Sequence, residues 1–174
     1  MRRPHILIQN AFPAAACEDL IKLGESYQRE EGKVGQGDIR KDKRNVEVAD
    51  VPIWHGPQVM LREDLTFRMR HANAHFGLAV EYLPALQYLV YGEGGLYDWH
   101  SDIVFPQGLE ARKISLVLQL SDPANYDGGD LQLDATFGEA PTAEPVAGKG
   151  NAHCIGTVHR GHRRARRAAH EQHW

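Results

Sequence analysis

The sequence predicts an α+β fold in which two amphipathic helices precede a run of short antiparallel strands. Apolar residues at helical spacing follow Pro13 and Pro57, and proline is common in the first turn of a helix. Farther along the chain, apolar and polar residues alternate between turns rich in glycine, proline, asparagine and aspartate. This order indicates helices packed against one sheet of a double-sheet jelly roll.

The N-terminal part of the chain supplies the predicted helical support. Residues 6–8 are apolar and indicate a short first strand, and residues 46–48 indicate another. Between the helices, residues 29–44 are polar and charged, which predicts a loop. Each helix has an apolar stripe, formed by Cys17, Leu20, Ile21, Leu23 and Tyr27 in the first and by Leu61, Leu65, Met69 and Phe76 in the second.

The strand-rich part of the sequence begins near residue 78. Residues 78–91 predict strand, with a break near Pro84. Residues 112–121 alternate in the way expected for a strand with one face in a core and the other in a semi-polar interior. A turn then leads into a short strand over residues 130–133, and Gly148 and Gly150 mark a later turn.

Length and composition indicate one domain. A chain of 174 residues, 42% apolar and 25% charged, is ordinary for a soluble globular protein. No apolar run approaches the roughly 20 residues that span a bilayer, so no membrane partner is expected. Two distant cysteines form no pattern typical of a disulfide framework, and we expect a reducing, cytoplasmic location. The predicted domain, 1–174, divides into helical support (1–77), a jelly-roll core (78–160) and an Arg-rich tail (161–174).

Charge is distributed unevenly along the chain. The formal net charge is −3, but residues 153–174 contain five arginines and one acidic residue, Glu171. The acidic body gives no reason to expect binding to nucleic acid, whereas the tail alone could attract phosphates.

A candidate metal site begins at His100 and Asp102. On an extended strand residues i and i+2 point to the same face, so this imidazole and this carboxylate would project side by side. With a further histidine they would form the two-His, one-carboxylate set that binds Fe(II) and leaves coordination positions open. A structural zinc site would prefer thiolates and four closed ligands, and this chain has only two distant cysteines. A bare His-X-Asp is also common in solvated turns, so its meaning depends on the residues that follow.

Those residues follow an informative order. After His100-Ser-Asp102 come Arg-Lys-Ile-Ser-Leu-Val-Leu-Gln-Leu-Ser, then Tyr-Asp-Gly-Gly-Asp-Leu-Gln-Leu, a glycine turn and His159-Arg160. The series resembles the Fe(II)- and 2-oxoglutarate-dependent dioxygenases, in their prolyl-4-hydroxylase-like branch with bacterial and phage relatives, over about residues 86–160. The resemblance implies a double-stranded β-helix with the metal between its sheets. It also implies Fe(II), 2-oxoglutarate and O2, with ascorbate as a further candidate, and hydroxylation of a peptidyl residue such as proline or of a small amino-acid-like molecule.

Two histidines compete as the distal metal ligand. His159 has the Thr-Val-His-Arg context that the resembled family gives its distal histidine. From His153, however, Gly161 and Arg163 fall at +8 and +10, where the family places the arginine that clamps 2-oxoglutarate. At about 3.3 Å per residue, His153 lies only ~10 Å beyond Gly150 and His159 ~30 Å beyond it. Since crossing a sheet needs the longer reach, we predict His159.

The co-substrate contacts are predicted only by resemblance. The family places a tyrosine near Tyr91 that hydrogen-bonds 2-oxoglutarate, although Tyr91 could equally be an ordinary lining residue. Arg163 is the clamp if His153 is the ligand, and Arg166 or Arg167 if His159 is the ligand, because Ala169 stands at the expected position. Arg-Arg-Ala-Arg-Arg-Ala-Ala favours helix over strand, and the family's apolar return strand is missing. A truncated or frame-shifted C-terminus would explain this departure.

Two other functions fit parts of the pattern. One is a degenerate, non-catalytic jelly roll that binds a metal or a partner without a competent co-substrate clamp. The other is a nucleic-acid dealkylase of the same superfamily, suggested by the Arg-rich tail but opposed by the acidic body. The sequence does not name the substrate or the oligomeric state, because the loops 29–44 and 103–111 carry no recognisable motif.

Overall fold

The computed structural model describes residues 5–34, 37–80, 83, 86–101, 113–133, 144–147, 155–160 and 164–169. These residues form helices and antiparallel strands, as predicted. The helices are α1 (Ala14–Glu25) and α2 (Gln58–Phe76). The strands are β1 (His5–Ile8), β2 (Glu30–Glu31), β3 (Arg44–Asn45), β4 (Glu47–Val51), β5 (Leu86–Val90), β6 (Leu96–Ser101), β7 (Ile114–Gln119), β8 (Gly128–Leu133), β9 (Glu144–Ala147), β10 (Ile155–Arg160) and β11 (Arg164–Ala169).

The strands pair into three antiparallel sheets. One sheet has the order β1-β10-β7, so that the first strand of the chain pairs with a late one. A five-stranded sheet has the order β3-β6-β11-β8-β9, and a third has the order β2-β4-β5. The pairing of β3 with β6 and of β6 with β11 joins distant parts of the sequence around the His100 segment.

Helix α2 lies against the sheet formed by β1, β10 and β7. Its Leu65 and Met69 are buried, as the apolar stripe predicts, and Gly77 ends it in the left-handed conformation with φ 65°. The C-terminal turn of α2 contributes Ala72 and Phe76 to a cluster with side chains of β1 and β7. That cluster also contains Ile6, Ile8, Leu78, Ile114 and Leu116. The predicted packing of a helix on one sheet is therefore present.

Helix α1 meets the sheet that contains β5. Gly24 lies against the ring of Tyr88, so closely that a Cβ atom at Gly24 would be 2.2 Å from the ring. The Tyr88 hydroxyl donates a hydrogen bond of 2.9 Å to the carboxylate of Glu25. Partial burial, together with this carboxylate, raises the pKa of Tyr88 to about 12. A glycine thus sets how close α1 comes to the sheet.

The Arg-rich tail differs from its predicted conformation. Residues Arg164–Ala169 form β11, a strand between β6 and β8, so the preference for helix was wrong. Pairing on both edges of β11 satisfies backbone groups along its length, and this tertiary context overrides a weak local propensity.

Three smaller features also differ from expectation. The segment 29–44 is not entirely loop, because β2 opens it and β3 begins at its end. Strand β5 starts at Leu86, whereas the sequence predicted strand from residue 78. Cys17 takes part in a disulfide, which the spacing of the cysteines did not predict, and the other cysteine of the chain lies outside the described residues. Among the described residues, no helix is long and apolar enough to cross a membrane.

Candidate functional site

His100 lies near the end of β6 and is half-buried. Its Nδ1 atom is 2.8 Å from the backbone oxygen of Asp98. A carbonyl oxygen only accepts hydrogen bonds, so Nδ1 carries a proton in this contact. Metal-binding histidines commonly use this arrangement, in which a bond at one ring nitrogen fixes the other as ligand. The described part of the site therefore fits a metal ion at His100.

A bulge in β6 places Tyr97 beside His100. Opposite β11, His100 pairs with Ala165 and Tyr97 with Arg167, so β6 has one more residue than β11 between these two pairs. In a regular strand, residues three apart face opposite sides, and the extra residue removes this alternation. The rings of Tyr97 and His100 stack with centroids 3.5 Å apart and planes at 11°.

Arg44 also packs on the ring of Tyr97. Its guanidinium carbon lies 4.5 Å from the centroid of the Tyr97 ring, which is a cation–π distance. Arg44 also lines a cavity of about 290 Å³ whose wall carries acidic and basic side chains, among them Glu31, Lys41 and Glu93. Through Arg44, the His100 segment therefore adjoins an opening at the surface.

A tight turn connects β5 to β6. Tyr91 follows β5 directly and is half-buried, and the backbone amide of Gly95 donates to the oxygen of Gly92 at 2.9 Å. Gly94 has φ +64°, and a Cβ atom at Gly95 would lie 2.7 Å from the Gly92 oxygen. This part of the turn therefore requires glycine.

The other predicted site residues occupy different positions. His159 lies in β10, in register with His5 and Ser115, and thus in a different sheet from His100. Arg167 lies in β11, paired with Tyr97 on one side and Leu131 on the other. Asp102, His153 and Arg163 are outside the described residues. The described part of the chain contains no group of three or more potential metal ligands, so the complete ligand set stays a prediction.

Sequence reasoning missed Arg44 and its neighbour Lys43. Both lie in the segment interpreted as a loop, and their partners Tyr97 and Asp98 are more than 50 residues away in the chain. A basic pair before a short strand carries no local signal for such a contact.

The family model and the curated relatives that match this chain point to the same family. Residues 86–170 match the family model of the 2OG-Fe(II) oxygenase superfamily. A PKHD-type hydroxylase of Klebsiella pneumoniae is 33% identical over 84 residues, which are 43% of this chain and 38% of that protein. A PKHD-type hydroxylase of Teredinibacter turnerae is 44% identical over 52 residues, 28% of this chain and 23% of that protein. The chain thus spans less than half the length of these curated relatives.

Solved structures show the same fold over nearly the whole chain. A prolyl-4-hydroxylase of Pseudomonas putida superimposes with a TM-score of 0.68 at 19% identity, covering 97% of this chain and 86% of that one. The viral collagen prolyl hydroxylase of Paramecium bursaria Chlorella virus-1, solved with 2OG, gives a TM-score of 0.62 at 15% identity, covering 98% and 91%. At these identities the likeness shows a shared fold.

Proposed function

Because the chain belongs, through residues 86–170, to the 2OG-Fe(II) oxygenase superfamily in its prolyl-4-hydroxylase-like branch, we propose that it is an Fe(II)- and 2-oxoglutarate-dependent hydroxylase. The proposed substrate is a peptidyl residue such as proline, or a small amino-acid-like molecule. The observation that supports this most directly is His100, whose Nδ1 atom is hydrogen-bonded to the backbone oxygen of Asp98, so that Nε2 is the ring nitrogen suited to a metal, at the point where the His-X-Asp sequence leaves β6.

The proposed metal ligands are His100, Asp102 and His159. Two imidazoles and one carboxylate suit Fe(II) and leave positions for other ligands. When bound, Fe(II) supplies the oxygen chemistry in which 2-oxoglutarate becomes succinate and CO2 and the substrate gains a hydroxyl group. The protein supplies the pocket and the orientation of the ligands.

The proposed co-substrate contacts are Tyr91 and Arg167. An arginine binds a carboxylate with two parallel hydrogen bonds, which suits the distal carboxylate of 2-oxoglutarate. Arg167 is favoured because its strand is hydrogen-bonded to β6 and it pairs with Tyr97, close to His100 along the ladder. Arg163 takes this role if His153 proves to be the distal ligand.

We further propose a double-stranded β-helix as the frame of this site. The sheet β3-β6-β11-β8-β9 and the sheet β1-β10-β7 would be its two walls. We also propose that residues 1–174 form a single domain. Its jelly-roll core extends beyond the predicted range 78–160 to include β11, because β11 lies between β6 and β8. The cytoplasmic location also stays a prediction.

A non-catalytic protein of the same fold is a second candidate. The observation that favours it is Ala169, which stands ten residues after His159, where the resembled family places its co-substrate arginine. Such a protein would bind a metal or a partner but would not convert 2-oxoglutarate. The dealkylase alternative gains no support from the described residues.

Succinate formation distinguishes these functions. We expect iron-dependent release of succinate and CO2 from 2-oxoglutarate by the wild-type protein, and its loss in Asp102→Ala with an unchanged circular dichroism spectrum. Asp19→Ala, which removes an exposed carboxylate on α1, is the matched control and should retain turnover. Turnover that persists in Asp102→Ala would refute the iron assignment, and a wild-type protein that binds iron without turnover would favour the non-catalytic candidate.

A further inference from the structure

The short strand β3 holds the bulged part of β6 from outside the predicted ligand set. The backbone amide of Asp98 donates to the oxygen of Lys43 at 2.7 Å, and the Lys43 ammonium lies 2.8 Å from the Asp98 carboxylate. Arg44 pairs in register with Tyr97 and covers its ring. Lys43, which immediately precedes β3, and Arg44, the first residue of β3, thus contact two consecutive residues of β6.

Arg44 is itself held in place. One of its terminal nitrogens donates to the oxygen of Lys33 at 2.7 Å. Its Nε atom is buried, beside Gly32, where an added Cβ atom would come within 3.0 Å of that nitrogen. Because an arginine packed in this way loses little further freedom, it presents a fixed plane to Tyr97.

Both contacts lead to the ring of His100. Asp98, whose carboxylate forms an ion pair with Lys43, provides the carbonyl oxygen that accepts a hydrogen bond from Nδ1 of His100. Tyr97, covered by Arg44, provides the face on which the His100 ring stacks. The hydrogen bond to Asp98 fixes the tautomer of the imidazole, and the stack on Tyr97 keeps the ring in the plane in which that hydrogen bond forms, so both contacts act on the tautomer. The direction in which Nε2 points depends on both.

We propose that Lys43 and Arg44 are positioning residues that fix the tautomer and the plane of His100 for metal binding. The expected effect on iron binding rests on the proposed function. The tautomer of His100, by contrast, can be measured in the metal-free protein. Partners one step removed from a metal typically change metal affinity by about 10–100-fold when they are mutated. Because Arg44 and Lys43 act on His100 through Tyr97 and Asp98, we expect effects at the lower end of that range, about 10-fold for Arg44→Met and less for Lys43→Met.

The first measurement is nitrogen NMR of the histidine rings in metal-free protein, with the His100 signals assigned by their absence in His100→Gln. The wild-type ring should carry a proton at Nδ1, hydrogen-bonded to the Asp98 oxygen. Arg44→Met should give a mixture of tautomers, and Arg44→Lys, which keeps a cation over Tyr97, should restore much of the wild-type signal. The Lys43 side chain is 53% exposed, so Lys43→Met is a second variant that tests the positioning of His100 with little risk to folding.

The second measurement is anaerobic titration of Fe(II) into the same proteins. Arg62→Met is the matched control, because Arg62 makes a similar contact 4.8 Å over Trp54 in another part of the structure. Affinity should fall in Arg44→Met and not in Arg62→Met. An unchanged tautomer in both Arg44→Met and Lys43→Met would overturn the proposal, as would an equal loss of affinity in the control. A wild-type protein with the Nδ1 tautomer but no affinity for Fe(II) would refute the proposed function and leave the positioning intact.

Discussion

At the scale of single residues, the structure depends on close contacts that local sequence pattern does not reveal. Gly24 lies in helix α1, where helix propensity alone would favour most other residues over glycine. The Tyr88 ring, however, occupies the space that a Cβ atom at this position would need. The stack of Arg44, Tyr97 and His100 is equally specific, since each ring or plane contacts the next. Residue types predicted the candidate ligand His100, but not the residues that orient it.

Replacing Gly24 by alanine should destabilise the protein by about 1–3 kcal/mol, because a rigid ring must move to admit the new methyl group. The clash, at 2.2–2.6 Å from three ring atoms, outweighs the roughly 1 kcal/mol that alanine gains over glycine in a helix. Urea unfolding measures the change. Gly92→Ala, where a Cβ atom meets nothing within 4 Å, is the control, and equal stability of both variants would contradict the contact.

Alkaline pH should weaken the contact between Tyr88 and Glu25. The pKa of Tyr88 rises from an ordinary value of 10.0 to about 12 in the folded protein, so the folded state holds this proton more tightly. The stabilisation is fully present below pH 10 and is lost as the pH rises through 12. Tyr88→Phe should therefore lose less stability than wild type between these two pH values in urea unfolding. Identical pH profiles of the two proteins would show that Tyr88 does not titrate in this way.

At the scale of secondary structure, the helices were predictable and the pairing of late strands was not. Proline at the start and an apolar stripe located α1 and α2 because both signals are local. Strand β11 was missed because its conformation follows from its neighbours β6 and β8, while its own residues favour helix. The strand β3 was also missed, since only its pairing with β6 makes its two residues a strand.

The two candidate distal ligands make different predictions for β10. His159 lies within β10, whereas His153 precedes it in the sequence. We expect His159→Ala to lower Fe(II) affinity by more than the roughly 10–100-fold of an outer partner, and His153→Ala to leave most of it. Anaerobic titration measures both, with His55→Ala as a control at an exposed histidine. Loss in His153→Ala alone would reverse the assignment and make Arg163 the clamp.

At the scale of the whole molecule, order along the sequence carried more information than composition. The His-X-Asp pair, the alternating strand, the glycine turn and the late histidine predicted the family that residues 86–170 match. Composition supported only a single globular domain. The ligand set is less predictable because it depends on how two sheets face each other, and residue spacing within one strand does not determine that.

The central claim is that His100, Asp102 and a late histidine hold one metal ion beside 2-oxoglutarate. A crystal structure with Mn(II) and an unreactive 2-oxoglutarate analogue tests it most directly. We expect the metal in direct contact with Nε2 of His100, the Asp102 carboxylate and the His159 imidazole, with the Arg167 guanidinium on the distal carboxylate of the analogue. A metal bound elsewhere, or a His100 ring that turns Nε2 away from it, would refute this ligand set.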